Sequence, residues 1–331
     1  MTNFRISPLW WPVLALASPV IIPFIIKKNN KYRENLDRAT QQNRERMRTA
    51  GALELPELDY LDLTVIVEEK TEEGFLGDAG VSYLFKSNLG SLLFDVGFGP
   101  DRPAFEHNAE KLGLDVNQID GLAISHLHPD HMGGMAATRK NQVTVPGATD
   151  GTPDLKPCFL PDKASSPHFS SRHLKAPGLL TAGIASTGPL ARSLFFFGLT
   201  QEQALVAKVK GKGLVIFTGC GHPTVEVIMD MVSRMSSEPV YAFGGGLHFP
   251  ISNGRGNRAG IKIQTIIGTG KPPWQRITEK DMDQTIDTLN RIRPEKVLLS
   301  AHDSCDEALK TMEQKLMPEV QLLKAGATYH F

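Results

Sequence analysis

Cysteine is scarce in this sequence of 331 residues: there are three, at positions 158, 220 and 305, and no two of them form a Cys-x-x-Cys pair. They are too few and too scattered for a disulfide framework, and the missing pair excludes a zinc knuckle. Reduced thiols in a reducing compartment are therefore expected. The 30 glycines and 22 prolines indicate many turns, which excludes a coiled coil or collagen.

An excess of charge of either sign is also absent. The 36 Lys and Arg residues balance 36 Asp and Glu residues, so the net charge at pH 7 is zero. General binding to nucleic acid requires a positive field, and nucleic acid is therefore not expected as a partner. Hydrophobic residues make up 41% of the chain, which is enough to form a sizeable core.

Long hydrophobic runs are absent except for one, PLWWPVLALASPVIIPFII at residues 8–26. It is about long enough to cross a bilayer, and membrane helices tolerate its internal prolines. By the positive-inside rule, the basic stretch that follows keeps the rest of the chain on the cytoplasmic side. We therefore predict a hydrophobic membrane anchor at residues 1–27, a basic linker at 28–58 and a folded domain at 59–331. A buried core helix and a cleaved signal peptide are the alternatives.

Short apolar strands alternate with helical segments through the folded part. Leu61–Val67, Val81–Phe85 and Ser91–Phe94 have the pattern of strands, and Arg102–Leu112 has the spacing of a helix. After residue 203 the sequence predicts strands at 204–209, 213–218, 240–243 and 296–300 and helices at 224–235, 279–291 and 306–316. This alternation predicts an α/β fold.

Two irregular segments interrupt the pattern, Val143–Pro189 and Ile251–Trp274. Loops this long inside a compact domain are more often lids or binding loops than structural filler. We expect them to contact the substrate. Arg192 and the basic residues of Lys271–Arg276 could bind an anionic group, although basic residues in loops are usually solvated.

Three of the ten histidines follow a predicted buried strand, Gly121–Ser125. His126 and His128 are alternate residues, so they can point their imidazoles at one cation. Asp130 and His131 lie at the start of the following helix and can serve a second cation. Four ligand-type side chains in six positions are not typical of helix caps, and the sequence therefore predicts a dinuclear metal site.

The motif His-x-His-x-Asp-His after a strand resembles the signature of the metallo-β-lactamase fold superfamily. Phe94–Gly97 resembles its early aspartate turn, and Thr218–His222 and Ser300–His302 end strands where the superfamily keeps its remaining ligands. The resemblance implies a four-layer αββα sandwich, here preceded by the anchor helix. Segments that look most like the dihydropterin ribofuranosyl-aminobenzene phosphate synthase-like branch are 187–189, 203–205, 219–222 and 244–248.

The resemblance also implies two divalent metal ions, zinc in the first place, with manganese or iron compatible with nitrogen and oxygen ligands. It assigns His126, His128 and His222 to one ion and Asp130, His131 and His302 to the other. His222 serves here as a substitute, because Thr187–Gly188 stands where the superfamily has another histidine.

Three further residues are expected to contribute to the site, and two of them, Cys220 and His248, have more than one interpretation. Cys220 stands where the superfamily usually has a bridging aspartate, and it is either a thiolate ligand or a small buried residue. Asp95 is expected to orient a ligand histidine from outside the metal shell. Asp130 or His248 is expected to move protons, while His248 could instead complete a metal site or be purely structural.

These expectations describe a metal-dependent hydrolase that takes its hydroxide from a dinuclear site. A phosphoester is the first choice of substrate because of the branch resemblance. Hydrolysis of a carboxylic ester or lactone is the alternative within enzymes. A metal-containing binding module without turnover is the alternative outside them. The expected partner is a small molecule, anionic or lipid-derived, together with a membrane contacted through residues 8–26. The sequence leaves the oligomeric state open.

Overall fold

In a computed structural model of the protein, residues 5–149, 155–252, 257–267 and 269–331 are described. They form two mixed β-sheets that face each other, with helices on both outer surfaces. The first sheet has seven strands in the order β19 (Thr328–His330), β2 (Leu61–Val67), β3 (Ser82–Ser87), β4 (Gly90–Phe94), β5 (Leu122–Ala123), β6 (Pro157–Leu160) and β7 (Ser170–His173).

The second sheet contains eight strands. Their order is β18 (Glu319–Leu322), β17 (Lys296–Leu299), β14 (Val240–Gly245), β13 (Gly213–Thr218), β12 (Leu205–Val209), β9 (Ala185–Ser186) and β8 (Gly178–Leu179), with β1 (Glu57–Leu58) also paired to β12. Two hairpins lie outside the sheets, β10 (Leu190–Leu194) with β11 (Gly198–Glu202) and β15 (Asn257–Arg258) with β16 (Ile261–Lys262).

The helices of the described residues are α1 (Trp11–Thr49), α2 (Ala104–Lys111), α3 (Pro129–Met132), α4 (Met135–Lys140), α5 (Val225–Met235), α6 (Ile263–Ile267), α7 (Glu279–Ile292) and α8 (Asp306–Lys315). Short 3-10 helices occupy Pro8–Trp10 and Gly99–Asp101. A reciprocal capping box fixes the start of α7, since Thr278 and Asp281 each accept a hydrogen bond from the other's backbone N–H.

Three apolar layers hold the sheets and helices together. Neighbouring residues of a strand point to opposite faces of the sheet. Phe217 therefore packs between the two sheets, where its ring centroid is 5.2 Å from that of Phe85. Its neighbour Ile216 packs under the helices of the second sheet. Leu84 faces the other way from Phe85 and joins the layer that contains Phe105 of α2. The arrangement is helix, sheet, sheet, helix, which confirms the predicted α/β sandwich.

Most of the segments predicted as anchor and linker, at residues 11–49, forms one continuous helix, α1, which includes Pro19 and Pro23. Its second half packs on the domain, with Asn35, Ala39 and Met47 buried. Its first half is apolar and long enough to cross a membrane, and none of the most hydrophobic window is buried. Length and composition alone make this weak evidence for a membrane segment.

The start of the chain also contacts the domain. The Ser7 N–H donates to the Gly260 carbonyl oxygen at 2.9 Å, and Trp10 Nε1 donates to the Ala259 carbonyl oxygen at 2.8 Å. Just past the other end of the apolar run, Lys28 Nζ donates to the Phe196 carbonyl oxygen at 3.2 Å, so both ends of the run are held beside the same domain.

The segment Val143–Pro189, predicted as irregular, contains the short strands β6, β7, β8 and β9. Each has two to four residues, too few to show a period in the sequence. Part of this segment, residues 150–154, lies outside the described residues, as do residues 253–256 and 268 of the second insertion.

Candidate metal centre

The predicted ligands come together at one edge of the sandwich. β4 and β5 are parallel, as are β13, β14 and β17, and the carboxyl ends of parallel neighbours meet at the same edge. The loops that follow these strands carry the site residues His126, Asp130, Cys220, His248 and His302. This arrangement brings together side chains that are far apart in the sequence.

The first group of donor atoms belongs to Asp130, His131, Cys220 and His302, and these atoms all lie within 4.8 Å of one another. His131 Nε2 is 3.1 Å from Cys220 Sγ and 3.5 Å from Asp130 Oδ2. Cys220 Sγ is 3.3 Å from His302 Nε2. Two imidazoles, a carboxylate and a thiol around one point are a donor set that suits zinc.

The second group contains His126, Cys220 and His222, again within 4.8 Å of one another. Among the described residues, Nε2 of His126 and Nε2 of His222 are buried without a hydrogen-bond partner. Buried polar atoms are rarely left without a partner. Because both atoms belong to one cluster of ligand-type side chains, the cluster fits a metal ion.

His128 lies next to this second group. The centroid of its ring is 4.4 Å from that of His126 and 5.1 Å from that of His222. A third group of donors consists of Cys220, His248 and Asp303. The predicted ligands are thus neighbours in space, and Cys220 is common to all three groups.

Comparison with known proteins agrees with this arrangement. Residues 76–164 match the model of the metallo-beta-lactamase superfamily. The structure of Tm1679, a metal-dependent hydrolase of the beta-lactamase superfamily, superposes with a TM-score of 0.57 and 18% identity over 81% of this chain and 98% of that one. The chain has the metallo-β-lactamase fold.

A second structure with this fold, YhfI from Bacillus subtilis, gives a TM-score of 0.52 and 17% identity, covering 82% of this chain and all of that one. No curated protein matches the sequence. The family match and the metallo-β-lactamase fold agree with the superfamily expected from the sequence. At these identities the structural likeness shows the fold, and substrate and chemistry are argued from the site itself.

Asp95 positions a candidate ligand of this metallo-β-lactamase fold. Its Oδ2 atom lies 2.7 Å from His131 Nδ1 and accepts a hydrogen bond from Ser125 Oγ, also at 2.7 Å. With φ at 63°, Asp95 is in the left-handed region, which is unusual for a residue other than glycine. Burial raises the pKa of its carboxyl, an effect that the nearby His131 opposes.

Ser125 leaves no space for a side chain at position 219, because a Cβ there would collide with its hydroxyl. Gly219 therefore allows the loop that carries Cys220 and His222 to approach the loop that carries His126 and His131.

Glu202 fixes the backbone of the loop that carries Cys220. Its carboxylate accepts hydrogen bonds from the backbone N–H groups of Cys220, Gly221 and His222 at 3.0, 2.7 and 2.8 Å. Burial raises the pKa of Glu202 to about 7. Three donors on one carboxylate fix the course of this loop and hence the place of its two candidate ligands.

Glu68 positions His302 through the hydroxyl of Ser300. Its carboxylate accepts from the Ser300 hydroxyl at 2.5 Å and from the Tyr83 hydroxyl at 3.1 Å. Ser300 Oγ in turn lies 2.6 Å from His302 Nδ1. The sequence does not predict the roles of Glu68 and Glu202, since each is a single polar residue in a segment with no motif of its own. Ser300 and Asp303 flank the predicted ligand His302, but nothing in the sequence assigns them a contact.

Four of the candidate ligand histidines, at positions 126, 128, 222 and 302, are predominantly uncharged at neutral pH. Burial lowers the pKa of His128 and His302 to about 4, and it lowers those of His126 and His222 well below the ordinary value. A neutral imidazole keeps a lone pair available for a metal.

His131 and Cys220, which are also buried, are predominantly protonated at neutral pH. Burial would lower the pKa of His131, but the carboxylates of Asp130 and Asp95 outweigh it and raise this pKa well above the ordinary value. Burial also raises the pKa of the Cys220 thiol. A metal that binds Cys220 must therefore displace a proton.

A cavity of about 390 Å³ opens beside His222 and His248. Its wall combines apolar side chains such as Leu194 and Phe249 with two cationic ones, Arg192 and Lys271. Asp281 accepts from Lys271 Nζ at 2.8 Å. Glu226 also lines this cavity, but within the described part of the chain Arg192 forms no ion pair with it or with another carboxylate.

Proposed function

We propose that the protein is a metal-dependent hydrolase of phosphoesters. The observation that carries the proposal is the set of overlapping donor groups centred on Cys220, together with the partnerless Nε2 atoms of His126 and His222. Two divalent ions fit such a set. His126, His128 and His222 would hold one, and Asp130, His131 and His302 the other, with Cys220 within reach of both.

Zinc is the ion we assign, because imidazole and thiolate donors favour it, while manganese and iron are compatible with the remaining donors. Bound divalent ions supply a water of lowered pKa and polarise the ester that it attacks. The protein's own contribution is to hold the ligands. Asp95 fixes the orientation of His131, and Glu202 fixes the Cys220 loop.

Proton movement is assigned to Asp130 and His248. Burial would raise the pKa of Asp130, but His131 and His128 hold it below the ordinary range. This carboxylate is therefore ionised at neutral pH and, as a weak base, would relay a proton rather than retain it. His248 lies on the cavity wall, and its backbone N–H donates to Asp303 Oδ2 at 3.0 Å. This contact, with φ of His248 at 60°, fixes the backbone of a residue whose imidazole belongs to the donor group of Cys220 and Asp303.

The phosphoester class rests on Arg192. Its guanidinium lines the cavity and acts electrostatically on His222. A planar guanidinium without a carboxylate partner is well suited to bind phosphate oxygens in a bidentate manner. The motifs of the dihydropterin ribofuranosyl-aminobenzene phosphate synthase-like branch support the same class. We further propose attachment to a membrane through residues 8–26, with the catalytic domain on the cytoplasmic side, and no role for nucleic acid.

Turnover of two model esters by the metal-loaded protein tests the proposal. Bis(p-nitrophenyl) phosphate should be hydrolysed, and Arg192→Ala should raise its KM about tenfold or more, since one charged hydrogen bond is worth roughly 1.5–3 kcal/mol. The KM for the uncharged p-nitrophenyl acetate should change much less in Arg192→Ala. A preference for the acetate in wild type would instead favour carboxylic ester or lactone hydrolysis. Bound metal without turnover of either ester would favour a binding module.

A further inference from the structure

A turn of three phenylalanines connects the candidate metal centre to α1. Phe195, Phe196 and Phe197 link β10 to β11. The ring centroid of Phe197 lies 4.6 Å from that of His128, and half of Phe197 is exposed. On the other side of the turn, the Phe196 carbonyl oxygen accepts a hydrogen bond from Lys28 Nζ at 3.2 Å.

Lys28 is the second residue after the apolar run of α1. That run presents large apolar side chains to the outside, with Leu16 86% and Val20 76% exposed. Exposed apolar area disfavours the aqueous state by roughly 25 cal/mol per Å², and a patch of this kind marks a surface that contacts lipid or protein. The basic residues Lys27 and Lys31 follow it directly, which suits a bilayer with anionic headgroups.

The second insertion adds an aromatic residue to the same surface. The ring centroid of Trp274 is 5.6 Å from that of Phe195, and 55% of Trp274 is exposed. Tryptophan is enriched where protein meets the headgroup region. Residues 7 and 10 bind this insertion through Gly260 and Ala259, and the same insertion contributes Thr269, Gly270 and Lys271 to the wall of the cavity.

The cavity combines the two chemistries that a lipid phosphoester requires. Arg192 offers a cation for a phosphate beside His222, whereas Leu194, Leu247 and Phe249 offer apolar walls. We propose that the substrate is a phospholipid taken from the bilayer that α1 contacts. Its phosphate reaches Arg192 and the metal ligands, while its acyl chains stay with the bilayer near Phe197 and Trp274. This inference rests on the proposed hydrolase function.

The reaction is a hydrolysis and needs no further reactant. The oxygen of water forms a bond to phosphorus, the bond from phosphorus to the departing alkoxy oxygen breaks, and that oxygen receives a proton. The products are a phosphate monoester and an alcohol, and one of them keeps the acyl chains.

A contact measurement tests the membrane side of the proposal without turnover. In the full chain with Trp10→Phe and Trp11→Phe, Trp274 is the one remaining tryptophan. Reconstituted in phosphatidylcholine and phosphatidylglycerol vesicles, its fluorescence should be quenched by lipids with brominated acyl chains. The matched control adds Trp274→Phe and Leu89→Trp, because Leu89 is 51% exposed on the turn between β3 and β4. The control should not be quenched, and absence of quenching at Trp274 would overturn the proposal.

An activity measurement completes the test with the same vesicles. The metal-loaded protein should hydrolyse a vesicle-borne phosphatidylglycerol as well as soluble bis(p-nitrophenyl) phosphate. Trp274→Asp should lower the lipid rate relative to the soluble rate about tenfold, the effect of roughly 1.4 kcal/mol of lost contact, whereas Leu89→Asp should leave the ratio unchanged. Hydrolysis of the soluble diester alone would overturn the lipid substrate and leave the hydrolase intact. Hydrolysis of neither would overturn the hydrolase, and the lipid substrate with it.

Discussion

The sulfur of Cys220 lies 3.1 Å from Nε2 of His131, although 89 residues separate the two in the chain. The same sulfur also belongs to the donor groups of His222 and His248. A residue in this position is a neighbour of every candidate ligand group, so its chemistry should affect both metal ions.

Replacing Cys220 tests that role. Cys220→Ala should weaken metal binding by at least about tenfold, since even residues that only orient a ligand contribute 10–100-fold. Cys220→Asp should restore binding, because a carboxylate can take the same place. The cobalt-loaded wild type should show a thiolate-to-cobalt charge-transfer band that Cys220→Asp lacks. Unchanged affinity in Cys220→Ala and no such band in wild type would show that the thiol is only buried.

Asp95→Asn tests the orientation of His131. The amide can keep the contact of 2.7 Å but loses the negative charge that the imidazole faces. We expect metal affinity to fall about 10–100-fold, measured by competition with a chelator dye. Asp59, which is exposed and belongs to none of the donor groups, provides the control, and Asp59→Asn should bind metal as wild type does. Equal affinity in both variants would contradict the role given to Asp95.

Glu202→Ala tests the support of the Cys220 loop. The change leaves three buried backbone N–H groups without their acceptor. The free energy of unfolding of the metal-free protein should fall by about 2–3 kcal/mol, as measured with urea. Glu106, in the first turn of α2, provides an exposed control, and Glu106→Ala should stay within about 0.5 kcal/mol of wild type. A Glu202→Ala variant as stable as this control would mean that the loop does not depend on the carboxylate.

Glu68 predicts how the stability of the metal-free protein depends on pH. Burial raises the pKa of Glu68 from 4.5 to about 7, so the folded state holds the proton more tightly than the unfolded state. The resulting stability is complete below pH 4.5 and is lost as the pH rises through 7.

Between pH 4.5 and pH 7, the proton on Glu68 contributes about 3 kcal/mol at most to the free energy of unfolding. Glu68→Gln should therefore lose less stability than wild type between pH 5 and pH 8. Urea unfolding at several pH values measures the difference, in which contributions common to both proteins, including that of Glu202, cancel. Parallel curves for the two proteins would contradict the raised pKa.

Much of the fold follows from local pattern. The predicted strand Leu61–Val67 and helix Glu279–Arg291 match β2 and α7, because alternation and helical spacing survive in segments of this length. The sequence does not predict the strands from β6 to β9. Hydrogen bonds to neighbouring strands define them, and their own residues show no periodic pattern. β18 and β19 were also absent from the prediction.

The candidate site, like the fold, has one part that the sequence predicts and one part that it does not. His126, His128, Asp130 and His131 lie in one short motif, so their proximity could be predicted from spacing alone. Glu68 contacts Ser300 across 232 positions, and no local signal distinguishes such a glutamate from one that faces solvent. Contacts of this kind depend on how the two sheets pack, which a single sequence does not display.

The metal content of the purified protein, measured by plasma mass spectrometry on wild type and on His126→Ala/His128→Ala, tests the dinuclear site most directly. We predict close to two metal ions per wild-type chain and a marked loss in the double variant, because both histidines belong to the cluster. Wild-type protein without metal, or a double variant that keeps both ions, would contradict it.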